Sequence, residues 1–280
     1  MTIKDLLKSG ADILDREVLL AYVLGVPREH LLAHPNEEIP EELAEVFSVY
    51  INRVEEGEPV AYITCEKEFF GLNFYVDNRV LIPRPETEQL VERALGYMGD
   101  RAKAGRRFRI LDVGTGSGNI AVSIARNFGD ESCFIDRIDA VDRDNDAIDV
   151  AKINVGQYSL EDKIHVFQSD LLEFAEDGEE YDVIISNLPY IGTVKNRFVS
   201  AATEKYEPGV ALFGGEDGLE LYKKMFQQIV EKGVKFGILI GEFGFAQRED
   251  MEEVLNKYFE QKWRIEKDLA GIDRIFMVTN

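Results

Sequence analysis

The spacing of apolar residues predicts helices in the first part of the chain. Apolar side chains recur at every third or fourth position over Ile13–Leu24, and again after Pro40, where Glu41 and Glu42 form an acidic first turn. A proline followed by acidic residues is typical of a helix start. We therefore expect residues 1–57 to form a small helical domain.

The pattern changes after Gly57-Glu58-Pro59. Residues 60–64 and 73–76 are rich in β-branched and aromatic side chains, which favour strands, and Phe69-Phe70-Gly71 lies between the two runs. We expect these runs to form a β-hairpin within residues 58–80, and we expect the hairpin to link two domains.

From residue 81 onwards, β-prone runs alternate with segments of helical periodicity. Strands are expected at residues 108–113, 137–142, 164–168, 181–186 and 236–242, and helices at residues 86–97, 119–127, 145–155, 219–230 and 247–258. This order is typical of a parallel sheet covered by helices on both faces. Two further β-prone runs, 263–269 and 274–278, predict an antiparallel pair at the end of an α/β domain that spans residues 81–280.

Composition and charge narrow the possible partners. The chain has 280 residues, 45% of them hydrophobic, and this is enough to bury a sizeable core. Its 32 Lys and Arg against 53 Asp and Glu give a formal charge of −21. A general binder of nucleic acid or of anionic membranes usually carries a basic patch, so the charge disfavours both classes.

Targeting segments and metal sites are not expected. Charged residues begin at Lys4, and no apolar run has the length of a membrane span, so we expect a cytoplasmic protein. Cys65 and Cys133 lie far apart and form no CxxC pair, and we expect both to be buried apolar residues. His30 and His34 are four residues apart, but no carboxylate signature accompanies them, which favours a solvated or capping role over a metal site.

A glycine-rich segment follows the strand expected at residues 108–113. It reads Asp112-Val-Gly114-Thr115-Gly116-Ser117-Gly118, and a helical pattern begins directly after it. Glycines let the backbone turn sharply and approach a ligand, and the helix start offers free N–H groups. A dinucleotide-binding fingerprint needs a glycine where Asn119 stands, and a phosphate loop needs a Lys-Ser/Thr pair that is missing here. The alternative is a tight turn without a ligand.

Acidic residues end the next two strands of the expected sheet. Asp142 follows the strand at residues 137–142, at the sheet edge where ligands bind in such folds, and its carboxylate can accept both hydroxyls of a ribose. Its alternative role is to cap the following helix. Asp170, followed by Leu171, is the corresponding candidate for the amine of an adenine, although Asp is also a common turn residue.

The segment Asn187-Leu188-Pro189-Tyr190 follows the strand expected at residues 181–186. A planar NH₂ group is a poor nucleophile because its lone pair is delocalised, so an enzyme that methylates it has to orient it. An Asn side-chain oxygen and the next backbone carbonyl can accept its two N–H bonds, and proline turns that carbonyl inward. Tyr190 offers a flat face for stacking. The alternative is a structural turn.

The whole chain resembles the HemK/PrmC family of release factor glutamine methyltransferases. The resemblance rests on residues 58–64 and 66–71, on Leu81-Ile-Pro-Arg-Pro-Glu-Thr-Glu88, on the glycine-rich segment and on residues 206–218. It implies a seven-stranded, Rossmann-like class I methyltransferase domain behind a helical domain that docks a protein substrate. It also implies transfer of a methyl group from S-adenosylmethionine, leaving S-adenosylhomocysteine, to the glutamine amide of the GGQ motif in peptide release factors.

The resemblance further implies a role for each site residue. The methionine part of the cofactor would contact Gly114, Thr115, Gly116, Ser117 and Gly118; the ribose would contact Asp142; and the adenine would contact Asp170 and Leu171. The catalytic residues would be Asn187, Leu188, Pro189 and Tyr190, of which Asn187 would also contact the cofactor. No metal, no membrane and no stable nucleic-acid partner are implied, and we expect a monomer.

One position departs from the family pattern. The family usually has Asn-Pro-Pro-Tyr, whereas Leu188 replaces the first proline here. The form Asn-Leu-Pro-Tyr resembles the motif of ribosomal RNA adenine dimethyltransferases, so RNA methylation is the alternative activity, and a binding module without catalysis is another. Residues 84–88 and the acidic charge favour the release factor. Leucine keeps the backbone carbonyl of residue 188 and loses only the rigidity of the ring.

Overall fold

The computed structural model describes residues 1–8, 12–103, 105–128 and 134–279. The chain divides into two compact units, Met1–Glu66 with Ala201–Tyr206, and Lys67–Ser200 with Glu207–Asn280. Within the described ranges, no helix is long and apolar enough to cross a membrane. Cys133, which we expected to be buried, lies outside the described residues.

Helices and strands alternate through most of the chain. The helices are α1 (Ile3–Leu6), α2 (Ile13–Leu24), α3 (Arg28–Ala33), α4 (Glu41–Glu55), α5 (Val60–Thr64), α6 (Glu88–Ala102), α7 (Asn119–Asn127), α8 (Asn145–Gln157), α9 (Ala201–Tyr206), α10 (Gly209–Leu212), α11 (Glu220–Glu231) and α12 (Arg248–Phe259). The strands are β1 (Glu66–Phe69), β2 (Leu72–Tyr75), β3 (Phe108–Val113), β4 (Ile135–Asp142), β5 (Ile164–Gln168), β6 (Glu180–Ser186), β7 (Lys235–Glu242), β8 (Trp263–Lys267) and β9 (Asp273–Thr279). A 3₁₀ turn at Pro85–Thr87 precedes α6.

The first unit is helical, as the apolar spacing predicts. Asp12 caps α2 by accepting a hydrogen bond of 2.8 Å from the Leu14 N–H, and α2 ends at Gly25 in the left-handed conformation. The apolar faces of α2 and α4 meet in one core that includes Leu20 and Phe47. The helices expected at Ile13–Leu24 and after Pro40 are therefore confirmed.

The strand expected at residues 60–64 is wrong, because these residues form α5. Ile63 packs into the core of the helical unit, and this burial outweighs the strand preference of the sequence. The hairpin itself is confirmed, with β1 and β2 as its strands. Its turn is made by Phe70 and Gly71, whose φ angles are 52° and 71°, the left-handed pair that a two-residue hairpin turn requires. Cys65, expected to be buried, is half-buried at the end of α5.

The second unit is built on a seven-stranded sheet in the order β5-β4-β3-β6-β7-β9-β8. Strands β3 to β7 are parallel, and β9 runs antiparallel to both β7 and β8, so the α/β class and the terminal antiparallel pair are confirmed. The strand order reverses between β3 and β6. In open α/β sheets, ligands bind at this point, outside the carboxyl ends of the strands.

Several bounds differ from the sequence predictions. The helix expected at residues 86–97 begins as the 3₁₀ turn and continues to Ala102. Strand β6 begins at Glu180, one residue before the strand expected at residues 181–186. Between β6 and β7, the short helices α9 and α10 were not anticipated.

His30, His34 and Glu37 form a cluster at the surface of the helical unit. The two imidazole rings stack at 4.2 Å, and His30 Nε2 lies 2.8 Å from Glu37 Oε2. The interpretation that no carboxylate accompanies the histidines is therefore wrong, and the three ligand atoms lie within 4.8 Å of one another. A hydrogen bond and a ring stack between partly or fully exposed side chains account for this proximity without an ion.

Candidate active site

A cavity opens at the carboxyl ends of β3, β4, β5 and β6. The empty space within it, counted out into the open mouth, is about 920 Å³. The cavity is lined by the glycine-rich loop, the residues after β4, β5 and β6, the segment before α6 and part of α10. The lining residues include Gly114, Thr115, Gly116, Ser117, Asp142, Asp170, Leu171, Asn187, Leu188 and Pro189.

The glycine-rich loop has three left-handed glycines. Gly114, Gly116 and Gly118 have φ angles of 74°, 54° and 78°, which disfavour any residue with a Cβ. A Cβ on Gly114 would lie 2.9 Å from Leu188 Cδ2, too close for any real contact. The backbone conformation therefore favours glycine at position 114, and the end of the Leu188 side chain would have to shift to admit a Cβ.

Asp112, near the end of β3, holds this loop from the buried side. Its side chain is fully buried and accepts a hydrogen bond of 2.7 Å from the Thr115 hydroxyl. Burial raises the pKa of the Asp112 carboxyl to about 7, and the nearby carboxylate of Asp142 acts in the same direction. Asp112 is not among the lining residues of the cavity, so it holds the loop rather than a ligand.

Asp142 lies at the end of β4 and lines the cavity. Its Oδ2 accepts the Gly116 N–H and its Oδ1 accepts the Asp144 N–H, both at 3.0 Å. Desolvation by burial raises the pKa of Asp142. The helix-cap alternative does not apply, because Asp144 caps α8 by accepting the Asp146 N–H. Each Asp142 oxygen keeps a second lone pair, which leaves the carboxylate able to accept two hydroxyl groups.

Asp170 and Leu171 follow β5 and also line the cavity. The Asp170 carboxylate is engaged by Lys224, whose Nζ lies 2.6 Å from Oδ2. Leu171 is buried and has a φ of 56°, so the chain turns sharply at this position. The Asp170 carboxylate is thus paired with a lysine. The Asp142 carboxylate, in contrast, accepts hydrogen bonds from backbone N–H groups.

Asn187 directly follows β6, and of its two amide atoms only the nitrogen has a hydrogen-bond partner among the described residues. Its Nδ2 donates a hydrogen bond of 2.9 Å to Thr87 Oγ1, and the Thr87 hydroxyl donates one of 2.8 Å to Glu242 Oε2. The Asn187 Oδ1 is buried and finds no hydrogen-bond partner among the residues that the structure describes. A buried amide oxygen without a partner is costly, and because Asn187 lines the cavity, this points to a donor that a ligand supplies.

The backbone after Asn187 is anchored to β7. The Leu188 N–H donates to the Tyr222 hydroxyl at 3.3 Å, and that hydroxyl donates to the main-chain carbonyl of Glu242. The Leu188 side chain is buried against Gly114. Leucine at this position thus packs the turn onto the glycine-rich loop.

Tyr190 turns away from the cavity towards β7. Its hydroxyl donates to Glu242 Oε1 at 3.0 Å, and burial together with the Glu242 carboxylate raises the Tyr190 pKa well above its usual range. Tyr190 is not among the residues that line the cavity. The predicted stacking of Tyr190 on a substrate therefore stays a prediction.

Sequence reasoning missed Thr87 and Glu242. Both side chains are buried, Glu242 is 1% exposed, and the guanidinium of Arg274 lies 4.0 Å from Glu242 Oε1. Burial raises the Glu242 pKa, while Thr87, Arg274 and Tyr190 lower it. Two signals were present in the sequence: Thr87 belongs to residues 84–88, which carried the family resemblance, and Glu242 ends a parallel strand at the same sheet edge as Asp142.

Comparison with solved structures identifies the fold. The hMettl16 catalytic domain, solved in complex with a 3'UTR hairpin, superposes with a TM-score of 0.57 and 18% identity, covering 79% of this chain and 80% of that one. The T. thermophilus 16S rRNA N2 methyltransferase, solved with AdoMet and guanosine, gives a TM-score of 0.52 and 16% identity over 77% of this chain and 50% of that one. At these identities the likeness establishes the class I methyltransferase fold alone.

Comparison of sequences identifies the family. A model of the PrmC N-terminal domain matches residues 3–64, and a model of the methyltransferase small domain matches residues 100–215. The release factor glutamine methyltransferase of Clostridium acetobutylicum is 36% identical over 267 residues, covering 94% of this chain and 90% of that protein. The enzyme of the same name from Koribacter versatilis is 34% identical over 262 residues, covering 94% of this chain and 89% of that protein. The chain belongs to the release factor glutamine methyltransferase family.

Proposed function

We propose that this protein transfers a methyl group from S-adenosylmethionine to the side-chain amide nitrogen of the GGQ glutamine in a peptide release factor. The observation that carries the proposal is the buried, unpartnered Oδ1 of Asn187, a residue that lines the cavity. A primary amide or amine supplies the N–H donor that this oxygen lacks. The names of the relatives, which cover most of this chain, select the glutamine amide as that donor.

The residues that line the cavity suit S-adenosylmethionine in the chemistry of their donors and acceptors. Asp142 has acceptor lone pairs for the two ribose hydroxyls, and the backbone at Gly114 and Gly116 carries no side chain that would block the methionine part. Leu171 offers an apolar contact for the adenine, next to Asp170. When bound, this cofactor supplies a methyl group that is already activated on a sulfonium centre.

The role of the protein is then to position the substrate nitrogen. Asn187 Oδ1 and the Leu188 carbonyl accept the two N–H bonds of the glutamine amide, which aims the nitrogen lone pair at the methyl group. Pro189 fixes the backbone that presents this carbonyl, and Tyr190 holds the turn against β7. The nitrogen gains a methyl group and loses one proton to water. Positioning of this kind lowers the entropic part of the barrier.

The helical residues 1–57 are the proposed docking domain for the release factor, and the hairpin region 58–80 is the proposed connection to the catalytic domain 81–280. We propose that the protein works as a cytoplasmic monomer without a metal and without a stable nucleic-acid partner. Its charge of −21 favours a basic protein partner and disfavours RNA. RNA methylation, suggested by Asn-Leu-Pro-Tyr, is the competing activity.

The test is incubation with radiolabelled S-adenosylmethionine and a purified release factor. Matched reactions contain the release factor with its GGQ glutamine replaced by alanine, or total RNA in place of the protein. We expect label in the release factor that disappears with the glutamine replacement. Label in RNA alone, or label in the release factor that survives the replacement, would contradict the proposal.

A further inference from the structure

A chain of buried hydrogen bonds leads from β7 to the candidate catalytic amide. It runs from the Glu242 carboxylate through the Thr87 hydroxyl to the Asn187 amide, with distances of 2.8 and 2.9 Å. We propose that Glu242 is a positioning residue which, through Thr87, fixes the orientation of the Asn187 amide so that Oδ1 faces the substrate. This inference rests on the proposed function for its catalytic consequence, but the orientation itself can be tested separately.

The direction of the chain follows from the number of available protons. An ionised carboxylate can only accept hydrogen bonds, and a threonine hydroxyl has a single proton to donate. Because Thr87 gives that proton to Glu242, its oxygen can only accept from Asn187. The Asn187 NH₂ group therefore has to face Thr87. In the flipped orientation, Asn187 Oδ1 would meet the lone pairs of Thr87 Oγ1, and neither group would have a proton to share.

Burial of Glu242 raises its pKa and opposes ionisation, whereas the hydrogen bonds and the guanidinium around it favour the accepting form. One carboxylate oxygen accepts the Thr87 hydroxyl, the other accepts the Tyr190 hydroxyl at 3.0 Å, and the Arg274 guanidinium lies 4.0 Å away. The side chain is 1% exposed, so no water competes for these positions. The Glu242 carboxylate thus holds Tyr190 directly and Asn187 through the Thr87 hydroxyl, at the two ends of the segment Asn187-Leu188-Pro189-Tyr190.

The orientation determines what the cavity offers to a substrate. With Nδ2 bound to Thr87, the wall presents an acceptor, which suits the N–H of a substrate amide. With the amide flipped, Asn187 would present its Nδ2 donor to the N–H donor of the substrate amide. Loss of one such hydrogen bond in a buried site corresponds to a decrease of about 10- to 100-fold in kcat. If the network were purely structural, replacing the hydroxyl at position 87 by a methyl group would lower stability and leave kcat unchanged.

The test compares three substitutions and one control. Thr87→Val removes the hydroxyl with little change in shape, Thr87→Ser keeps it, and Glu242→Gln leaves one acceptor oxygen for the two hydroxyls of Thr87 and Tyr190. Thr64→Val is the matched control, because the Thr64 side chain is also nearly buried and its hydroxyl donates to a backbone carbonyl, that of Val60. Each variant is measured for kcat and KM with the release factor and for S-adenosylmethionine affinity by calorimetry.

The orientation is read independently by NMR of protein labelled with ¹⁵N-asparagine. The side-chain signal of Asn187 is assigned by its loss in Asn187→Asp. We expect one Nδ2 proton to be protected from solvent exchange in the wild type and in Thr87→Ser, and unprotected in Thr87→Val. We also expect kcat to fall about 10- to 100-fold in Thr87→Val, with cofactor affinity and KM within about threefold of wild type. Glu242→Gln should show both effects only to the extent that its NH₂ group, and not its oxygen, faces Thr87.

Two outcomes would overturn the inference. The first is equal kcat in Thr87→Val and Thr87→Ser when both bind the cofactor normally. The second is an Asn187 proton whose protection does not depend on position 87. If the wild type methylates no release factor, the proposed function fails, and the NMR comparison still decides whether Glu242 and Thr87 orient the amide.

Discussion

Leu188 packs against Gly114 so closely that a Cβ on Gly114 would lie 2.9 Å from Leu188 Cδ2. The loop that is proposed to hold the cofactor is therefore in direct contact with the turn that is proposed to hold the substrate. This contact also explains how the chain accommodates leucine in place of the proline that is usual in the family. The leucine side chain fills the space over a glycine, and the backbone carbonyl of residue 188 is unchanged.

The first prediction concerns this contact. Gly114→Ala places a Cβ at a φ of 74° and against Leu188, so both backbone strain and overlap oppose it. We expect a loss of about 1–3 kcal/mol in the free energy of unfolding, measured by urea denaturation, and weaker cofactor binding. Gly96→Ala is the control, since Gly96 lies inside α6 and an added Cβ meets nothing within 4 Å. The control should be as stable as wild type or slightly more stable; equal behaviour of the two variants would contradict the role of this contact.

The second prediction concerns pH and Asp112. Burial raises the pKa of this carboxyl from 3.8 to about 7, so the folded state penalises its ionised form. The unfolded state ionises first as pH rises, and Asp112 therefore costs stability progressively between about pH 4 and pH 7. In Asp112→Asn this cost is absent.

The measurement for Asp112 is thermal unfolding of wild type and Asp112→Asn from pH 5 to pH 8. We expect the melting temperature of the variant, relative to that of wild type, to increase as pH rises and to level off above pH 7. A difference that does not change with pH would mean that the carboxyl at position 112 has an ordinary pKa in the folded protein.

The third prediction concerns the ribose contact proposed for Asp142. Asp142→Ala removes the acceptors for the hydroxyls and leaves the Gly116 and Asp144 N–H groups without their partner. We expect the dissociation constant for S-adenosylmethionine, measured by calorimetry, to rise about 10- to 100-fold. Asp146→Ala, at an exposed position in the first turn of α8, is the control and should bind as wild type does. Unchanged affinity in Asp142→Ala would remove this residue from the proposed cofactor site.

The sheet and its flanking helices were predictable because their patterns are local. The bounds expected at residues 108–113 and 119–127 agree with β3 and α7, since runs of buried side chains and the turn at Gly118 mark these elements directly in the sequence. The bounds expected at residues 164–168 also agree with β5. The failure at residues 60–64 has a physical reason. Five residues with strand preference fold as a helix when Ile63 is buried against α2 and α4, and no local pattern reports that burial.

The site was predictable in part for a related reason. Asp142 and Asn187 end strands of a parallel sheet, so their convergence at one edge follows from the fold. Thr87 and Glu242 are 155 positions apart in the sequence, and the hydrogen bond that joins them depends on how the segment before α6 packs onto β7. The orientation of the Asn187 amide, which depends on that bond, is therefore visible only in the structure.

The most direct test of the proposed function is a comparison of binding and transfer in Asn187→Ala. The substitution removes the Oδ1 that is proposed to accept the substrate N–H and should leave the contacts proposed for the cofactor in place. Asn256→Ala, an exposed residue of α12 away from the cavity, is the control.

In Asn187→Ala, we expect the dissociation constant for S-adenosylmethionine to stay within about threefold of wild type, and methyl transfer to the release factor to fall about 100-fold or more. We expect the Asn256→Ala control to retain both activities. Methyl transfer at the wild-type rate by Asn187→Ala would contradict the assignment of this amide as the group that positions the substrate.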